Sequence, residues 1–372
     1  MRIAQISPLF ESVPPKLYGG TERVVSALTE ELVRSGHDVT LYASGDSMTS
    51  ARLVPVCPKS LRLDPQCVDR LAHHIVMLDQ LFDEKDEFDL LHFHIDYLHF
   101  PFTRRQRVPT ITTLHGRLDL PDLQPLYRRY CDVPVVSISD SQREPLPSVN
   151  WQATVHHGLS PDQYTFFDEP GKYLAFLGRV SPEKGVDQAI KIAQRFGMKL
   201  KIAAKIDSAD HEYFQTEIKP LLGDSNVEFI GEIGYAQKSD FLGNAAALLF
   251  PINWPEPFGL VMIEAMACGT PVIAYNRGSV PEVIDHSVTG FIVDDVEGAV
   301  DALGSISHIQ RKVCRQVFES RFSSYRMAQD YVALYERLVS GVPESLTLSN
   351  AMGRSSSPSF TLTDLTDGVS VG

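Results

Sequence analysis

Short apolar runs alternate with amphipathic segments along most of the 372-residue chain. The first runs predict strands at Arg2–Ser7 and Asp38–Ala43, and the apolar positions between them recur at helical spacing over Thr21–Ser35. Gly36 follows at the position where a left-handed residue commonly ends a helix. Strands that alternate with helices form parallel sheets covered by helices on both faces, so the pattern predicts an α/β fold.

The alternation is interrupted by a polar, turn-rich stretch at Pro161–Gly171, which suits a linker, and then begins again. Further strands are predicted at Asp89–His94, Thr110–Leu114, Val135–Ser139, Lys172–Leu177, Leu200–Ala204, Val227–Ile230, Ala247–Pro251 and Pro271–Ala274. We therefore expect two doubly wound, Rossmann-like domains at 1–165 and 170–322. Ligands of such sheets bind at the carboxyl ends of the strands, so two facing halves predict an interdomain cleft.

The end of the chain has a different character. Ser323–Leu338 is amphipathic and predicts one more helix. Residues 341–372 are rich in Ser, Thr and Gly and show little periodicity, which predicts a disordered tail.

Composition narrows the functional classes. A formal net charge of −13 argues against nucleic-acid binding as the main activity and allows peripheral membrane contact at most. Five scattered cysteines form no C-x-x-C pair, and no apolar run reaches the ~18 residues of a membrane helix. The chain starts directly with a strand-like run and without a signal-peptide pattern, so we expect a cytoplasmic protein.

The segment 251–271 carries the strongest chemical signal. Glu256 and Glu264 lie eight residues apart, separated by a proline, a glycine and an apolar run. Pro257 suits the first position of a helix, because its fixed φ is helical and its missing N–H is not needed there. This spacing predicts Glu256 on the loop before the helix and Glu264 inside the helix.

The same segment predicts an anion site. The amides of Phe258, Gly259 and Leu260 would point outward at the start of the helix, where free N–H groups and the helix dipole favour negative charge. Together with two carboxylates that accept hydrogen bonds from hydroxyls, this site suits a phosphorylated sugar. The alternative is a plain amphipathic helix with solvated glutamates.

Gly178–Gly185 reads Gly-Arg-Val-Ser-Pro-Glu-Lys-Gly and follows a predicted strand. It delivers Arg179 and Lys184 to the carboxyl end of a sheet, where two cations can neutralise a diphosphate. The alternative is a loop with solvated charges.

Gly19 and Gly20 precede the first predicted helix, and glycines there let the backbone approach a ligand closely. Thr21 is placed to cap the helix. This is not a G-x-G-x-x-G fingerprint, which disfavours a dehydrogenase. An ordinary glycine turn is the alternative.

Histidines end two of the predicted strands. His115 follows Thr110–Leu114 and would face the cleft, although a structural histidine is the alternative. Period-two geometry places His92, His94 and Asp96 on one side of an extended segment. Two histidines and a carboxylate suit zinc, but a strand end that orders the neighbouring loops is the preferred interpretation.

Taken together, these four motifs resemble those of the retaining glycosyltransferases of family 4, whose donor-site motif is E-x7-E and whose fold is GT-B. The resemblance runs from the first strand to about residue 340. It implies that a helix at 323–340 crosses back to the N-terminal domain. By the same resemblance Arg179 and Lys184 hold the leaving diphosphate, Gly19 and Gly20 lie near the donor phosphates and the acceptor, and His115 lies beside the donor sugar.

The resemblance and the anion site together give a set of candidate residues. Glu256 would hydrogen-bond the donor sugar, Glu264 the ribose, and the backbone at Gly231 would contact the base, although a purely structural role for the 229–233 segment is equally open. The expected catalytic residues are His115, Arg179, Lys184 and Glu256. The expected donor-binding residues are Gly19, Gly20, Gly231, Phe258, Gly259, Leu260 and Glu264.

The expected reaction is transfer of a hexose from UDP-glucose or a similar nucleoside-diphosphate sugar to an acceptor, with the anomeric configuration retained. GDP-mannose stays open as the donor. Neither a metal nor another cofactor is expected, because fixed cations already occupy the site. The acceptor, a small molecule, glycan or lipid-linked sugar, would be read by loops at 45–80 and 97–130, with Arg117 and Asp119 shaping its pocket. A non-catalytic nucleotide-sugar-binding protein, or a phosphorylase or epimerase on the same fold, is the alternative.

Overall fold

A computed structural model describes residues 1–104, 106–223 and 225–341. Its strands follow the predicted runs closely and add several that the periodicity did not indicate. The strands are β1 Arg2–Ile6, β2 Asp38–Ser44, β3 Arg52–Cys57, β4 Leu90–Phe93, β5 Thr110–Thr113, β6 Val135–Ser137, β7 Trp151–Thr154, β8 Tyr173–Arg179, β9 Leu200–Lys205, β10 Val227–Gly231, β11 Ala245–Phe250, β12 Val272–Tyr275 and β13 Gly290–Val293.

Helices lie between most of these strands, as the alternating pattern predicts. The α-helices are α1 Gly20–Arg34, α2 Arg70–Glu84, α3 Phe100–Thr103, α4 Leu123–Arg129, α5 Val186–Phe196, α6 His211–Tyr213, α7 Tyr235–Gly243, α8 Leu260–Ala267, α9 Val280–Val283, α10 Val296–Gly304, α11 Arg311–Arg321 and α12 Ser324–Ser340.

The strands form two parallel sheets. The first has the order β3-β2-β1-β4-β5-β6-β7, and the second has the order β10-β9-β8-β11-β12-β13. Strand order reverses direction beside β1 in the first sheet and beside β8 in the second. Crevices open at the carboxyl ends of strands at such reversals, so the loops after β1 and β8 are placed to bind a ligand. This arrangement confirms the predicted pair of Rossmann-like sheets.

The last helix packs on the first sheet, although it follows the second sheet in the chain. Met327, Ala328 and Leu334 of α12 are buried in one cluster with Ile3 of β1 and Leu28 of α1. A backbone hydrogen bond from the amide of Ser324 to the carbonyl of Leu159 fixes the start of α12. The expected return of this helix to the N-terminal half is therefore confirmed.

Two details of helix initiation differ from the predictions. Thr21 does not cap α1, which starts one residue earlier with Gly19 at the N-cap position. Pro257 does not open α8, because Gly259 has a φ of 77° and α8 starts only at Leu260. A residue in the left-handed region cannot continue a right-handed helix, so the helix begins after it.

The predicted domain boundaries and the predicted tail are considered next. Between β7 and β8, residues 155–172 contain one short 3-10 turn, Pro161–Gln163, and no strand. The boundaries 1–165 and 170–322 remain a prediction. The predicted disorder of 341–372 lies outside the described residues, except for Gly341, whose φ of 67° ends α12. Within the described ranges, none of the helices combines the length and the hydropathy that crossing a bilayer requires.

Candidate active site

The loops at the carboxyl ends of β1, β8 and β11 enclose a cavity of about 510 Å³ between the two sheets. This size is in the range of sites that bind nucleotide-sized ligands. Among the described residues that line it, six are Lys or Arg and five are Glu. The cavity is therefore far less acidic than a chain with a net charge of −13 would suggest. The sequence-predicted site residues that line it are Gly19, Gly20, His115, Arg179, Lys184, Glu256, Phe258, Gly259, Leu260 and Glu264.

Gly231 is the predicted site residue that the structure leaves out of this wall. It ends β10 with a φ of 79°, and its neighbours Glu232 and Ile233 line the cavity instead. Its positive φ re-aims the chain, so the following two residues reach the site.

The two predicted diphosphate ligands lie on opposite sides of a tight turn. Arg179 ends β8, and Lys184 ends the 3-10 turn that follows it. Lys184 Nζ donates to Glu256 Oε2 at 2.5 Å, and Arg179 Nη2 donates to Glu183 at 3.1 Å. Both cations are thus neutralised by carboxylates, and both remain within the wall of the cavity.

Gly185 explains how Lys184 reaches the loop that carries Glu256. Its φ is 70°, and a Cβ built on it would lie 2.1 Å from the carbonyl oxygen of Pro251. Only a glycine combines this backbone conformation with so close an approach of two loops. The amide of Asn253 also donates to the carbonyl of Glu183 at 2.8 Å, which ties the two loops together.

The loop before α8 is equally fixed. The amide of Ser279 donates to the carbonyl of Glu256 at 3.0 Å, and the hydroxyl of Ser279 donates to the carbonyl of Phe258 at 2.8 Å. A Cβ on Gly278 would lie 2.4 Å from the backbone of Glu256. The backbone of Glu256 is therefore held in place by its contacts with the 278–279 loop.

Glu264 is the most buried acidic group of the site, with 2% of its surface exposed. Its Oε1 accepts hydrogen bonds from Lys238 Nζ at 2.9 Å, from Tyr164 Oη at 3.1 Å and from Arg23. Burial alone would raise the pKa of Glu264, but the two cations lower it to about 2. Since Arg23 belongs to α1, this ion pair joins the two halves across the cleft.

Glycines bring the first half of the chain against the second. A Cβ on Gly19 would lie 2.7 Å from Pro15, so the loop before α1 is packed without room for a side chain. A Cβ on Gly20 would lie 3.5 Å from the Cδ1 atom of Leu260, the first residue of α8. The starts of α1 and α8 therefore face each other in the cleft.

His115 lines the cavity and lies two residues beyond the end of β5 at Thr113. Its Nε2 lies 2.9 Å from His94 Nδ1, and its ring stacks on His157 with centroids 5.1 Å apart. Burial lowers the pKa of His115 to about 3, so the ring is neutral at physiological pH. A neutral imidazole supplies a hydrogen-bond donor and an acceptor but no charge.

The zinc alternative at His92, His94 and Asp96 does not agree with the structure. Both ring nitrogens of His92 are occupied, Nδ1 by the hydroxyl of Tyr335 at 2.6 Å and Nε2 by Thr113 Oγ1 at 2.8 Å. Asp96 has a φ of 51° and is exposed, so the extended segment ends before it. The preferred interpretation, a strand end that orders its surroundings, fits these contacts.

Arg117 and Asp119 pair with each other, with 2.7 Å between Arg117 Nε and Asp119 Oδ1. The guanidinium of Arg117 also lies 5.2 Å from the ring centre of Trp254, and Lys184 Nζ lies 5.2 Å from the same ring. Trp254 therefore connects the His115 loop to the Lys184 loop. Neither Arg117 nor Asp119 lines the cavity itself.

Sequence reasoning missed several residues that line the cavity. On the side of the first sheet they include Phe10 and Tyr18, whose side chains are about 40% exposed, and an ion pair between Arg62 and the buried Glu11. On the side of the second sheet they include Lys205, Lys238 and Glu232. The available signal was that Phe10 and Glu11 lie in the loop between β1 and the Gly-Gly pair.

Comparison with known proteins agrees with this geometry. Residues 162–317 match the family described as glycosyl transferases group 1, and residues 18–144 match the family described as glycosyltransferase family 4. The chain belongs to the family 4 glycosyltransferases. A glycosyltransferase of Methanocaldococcus jannaschii, MJ1607, is 24% identical over 90% of this chain and 98% of its own length.

Solved structures confirm the fold of this glycosyltransferase as GT-B. AviGT4, a glycosyltransferase involved in avilamycin A biosynthesis, is 25% identical in sequence to this chain. Its crystal structure matches this structure with a TM-score of 0.73 over 92% of this chain and 98% of the AviGT4 chain. HepE of Anabaena in complex with UDP-glucose shares the fold at 16% identity, with a TM-score of 0.68 over 91% of this chain and 100% of its own.

Proposed function

We propose that this glycosyltransferase moves a hexose from UDP-glucose, or a similar nucleoside-diphosphate sugar, to an acceptor hydroxyl with retention of the anomeric configuration. The observation that carries the proposal is the placement of Arg179 and Lys184 in one cavity with the start of α8 and with Glu256. The UDP-glucose complex of the structurally similar HepE supports the choice of donor. GDP-mannose is the alternative donor.

Breaking the bond between sugar and phosphate builds negative charge on the leaving diphosphate. In the proposed mechanism Arg179 bonds it with the planar guanidinium, Lys184 acts as a point charge, and the backbone at Gly259 and Leu260 faces it at the start of α8. Fixed cations and amides stabilise this charge without having to reorganise, which lowers the barrier. We propose that these groups replace a metal ion as the source of positive charge.

Retention follows if the acceptor attacks from the face that the diphosphate leaves. The acceptor hydroxyl forms the new bond to the anomeric carbon as the bond to the phosphate oxygen breaks, and a phosphate oxygen takes the hydroxyl proton. The carboxylate of Glu256 is then a ligand of the sugar hydroxyls. On this mechanism it is not the nucleophile, because the acceptor hydroxyl itself attacks the anomeric carbon.

We also propose that the reaction takes place in the cytoplasm. All five cysteines are free thiols, and three of them, Cys57, Cys268 and Cys314, are buried. Free thiols persist in a reducing compartment.

A binding and turnover panel tests the proposal. UDP, GDP and ADP and their sugars are added to the full chain, and the melting temperature is measured. The release of nucleotide from the sugars is measured with a cell extract as the source of acceptors, with and without EDTA. We expect UDP or GDP and its sugar to raise the melting temperature, as any ligand of the native state does. EDTA should leave turnover unchanged. A panel in which no nucleotide shifts the melting temperature and none is released would count against the assignment.

Lys184→Met isolates the role of the diphosphate cation. Loss of one preorganised charge contact should lower kcat by ~10²–10³. The matched control is Lys191→Met, which removes an exposed lysine from α5 that pairs with Asp187 at 3.0 Å outside the cavity. We expect the control to keep the turnover of the wild type. Equal turnover by both variants would refute the assignment of Lys184.

A further inference from the structure

A chain of buried polar side chains connects the last helix to His115. Tyr335 of α12, Gln5 of β1 and His92 at β4 are each 0% exposed, and His94 is 2% exposed. His115 is the end of this chain that lines the cavity. Buried polar groups in such numbers require a consistent set of donors and acceptors, so the direction of each hydrogen bond can be worked out.

The direction is set where Tyr335 meets His92. The phenol oxygen lies 2.6 Å from His92 Nδ1, a distance typical of an O–H group that donates to a lone pair. With its proton used there, the phenol oxygen accepts from Gln5 Nε2 at 3.3 Å. The carbonyl oxygen of Gln5 therefore faces His94, and the 2.7 Å between Gln5 Oε1 and His94 Nε2 is short, as expected for N–H donating to a carbonyl.

The hydrogen bond between His94 and His115 can be assigned in the same way. Burial first, and then neighbouring histidines, lower the pKa of His94 well below its usual value, and burial lowers that of His115 to about 3. Each ring is neutral and carries one N–H. Since His94 donates through Nε2, its Nδ1 is a lone pair that accepts the N–H of His115 Nε2 at 2.9 Å. His115 Nδ1 is then unprotonated, and it has no hydrogen-bond partner among the described residues.

We propose that Gln5 and His94, oriented by Tyr335 on the last helix, act as positioning residues that hold His115 in the tautomer with an unprotonated Nδ1. In that tautomer the buried Nδ1 of His115 can accept a hydrogen bond and cannot donate one, so a hydroxyl of the donor sugar that reaches it must be the donor. The inference rests on the proposed place of the donor sugar beside His115. It also gives the returning helix a role in the site, which it does not itself line.

The experiment measures the tautomer directly. The full chain is labelled with ¹⁵N-histidine, and the signals of His115 are assigned by their loss in His115→Asn. We expect its Nδ1 to resonate as an unprotonated nitrogen at pH 7. In Gln5→Met, which keeps an unbranched side chain but has no amide, the two tautomers should mix. The kcat/KM for the nucleotide sugar that the wild type uses should fall about tenfold, the size of one hydrogen bond.

A matched control separates positioning from general damage to the core. Thr112→Val removes one buried hydroxyl of β5, which lies 2.8 Å from His99 Nε2. This hydroxyl is close to His115 in the sequence but does not belong to the chain of hydrogen bonds that reaches His115. The variant should leave the His115 tautomer unchanged and kcat/KM within about twofold of the wild type. Tyr335→Phe should have a smaller effect than Gln5→Met, because Gln5 Nε2 retains His92 Nδ1 at 3.5 Å.

Two results would overturn the inference. One is a protonated Nδ1 on His115 in the wild type. The other is a Gln5→Met protein whose tautomer and kcat/KM match those of Thr112→Val. If the protein holds His115 in the expected tautomer and yet binds no nucleotide sugar, the positioning of His115 stands and the proposed function is refuted.

Discussion

The buried carboxylate of Glu264 should stabilise the fold at neutral pH. Its pKa is lowered from 4.5 to about 2, and the group is almost completely buried. At 1.36 kcal/mol for each pKa unit, this shift corresponds to about 3 kcal/mol. Glu264→Gln should therefore destabilise the protein at pH 7 by about 3 kcal/mol, since it also leaves Arg23 and Lys238 buried without a carboxylate.

The sign of the pH dependence follows from the same shift. A carboxyl whose pKa is lower in the folded state stabilises the fold above its unfolded pKa of 4.5, and the stabilisation is lost as the pH falls toward 2. Between pH 5 and pH 3 the wild type should lose about 2 kcal/mol that Glu264→Gln does not lose. The stability curves of the two proteins should therefore converge in acid.

Urea unfolding followed by fluorescence measures both effects. Trp151 and Trp254 are the two tryptophans, one in each half of the chain, so both halves report. The control is Glu297→Gln, which breaks an exposed ion pair with Arg195 and should cost at most ~0.5 kcal/mol. A loss below about 1 kcal/mol at pH 7, or a difference that stays constant down to pH 3, would refute the reasoning about this carboxylate.

Two further predictions follow from the site. Gly185→Ala should lower the melting temperature and abolish turnover, because the new Cβ would lie 2.1 Å from the carbonyl oxygen of Pro251 at a φ of 70°. The control Gly36→Ala also has a positive φ, of 85°, but its Cβ would meet nothing within 4 Å, so it should destabilise the protein by only ~1 kcal/mol. Equal melting temperatures for the two variants would contradict this. Because the pKa of His115 is about 3, the pH profile of kcat/KM should show no inflection near pH 6.5 from this residue, and an inflection there that disappears in His115→Asn would show a charged ring.

Much of the fold could be read from the sequence because its signals are local. The strand at Arg2–Ser7 and the helix at Thr21–Ser35 were predicted to within one residue of the elements at Arg2–Ile6 and Gly20–Arg34. Gly36 has the left-handed conformation expected after that helix. The missed strand β3 lies at the edge of the first sheet and is only partly buried, so it lacks the continuous apolar run of the central strands.

The errors at the site have a similar cause. Pro257 satisfies the local rule for a first helical residue, but Gly259 has a φ of 77° and is packed so that a Cβ would lie 2.8 Å from Met262 and 3.0 Å from Phe250. Arg23 could not be connected to Glu264, because 241 residues separate them and an exposed arginine in the first turn of a helix is the ordinary expectation. Motif residues could be predicted, whereas their partners depend on tertiary contacts.

The pairing of the site's cations bears on how the donor would bind. Lys184 donates to Glu256 at 2.5 Å, and Arg179 donates to Glu183 at 3.1 Å. The ammonium of Lys184 has three N–H donors, so on the proposed mechanism it holds a diphosphate oxygen while keeping its hydrogen bond to Glu256, whose remaining acceptor sites face the sugar hydroxyls. Binding of the phosphates and orientation of the sugar are then one coupled event. A nucleotide without its sugar would contact Lys184 but offer Glu256 no sugar hydroxyl, and this coupling favours the intact donor over the free diphosphate.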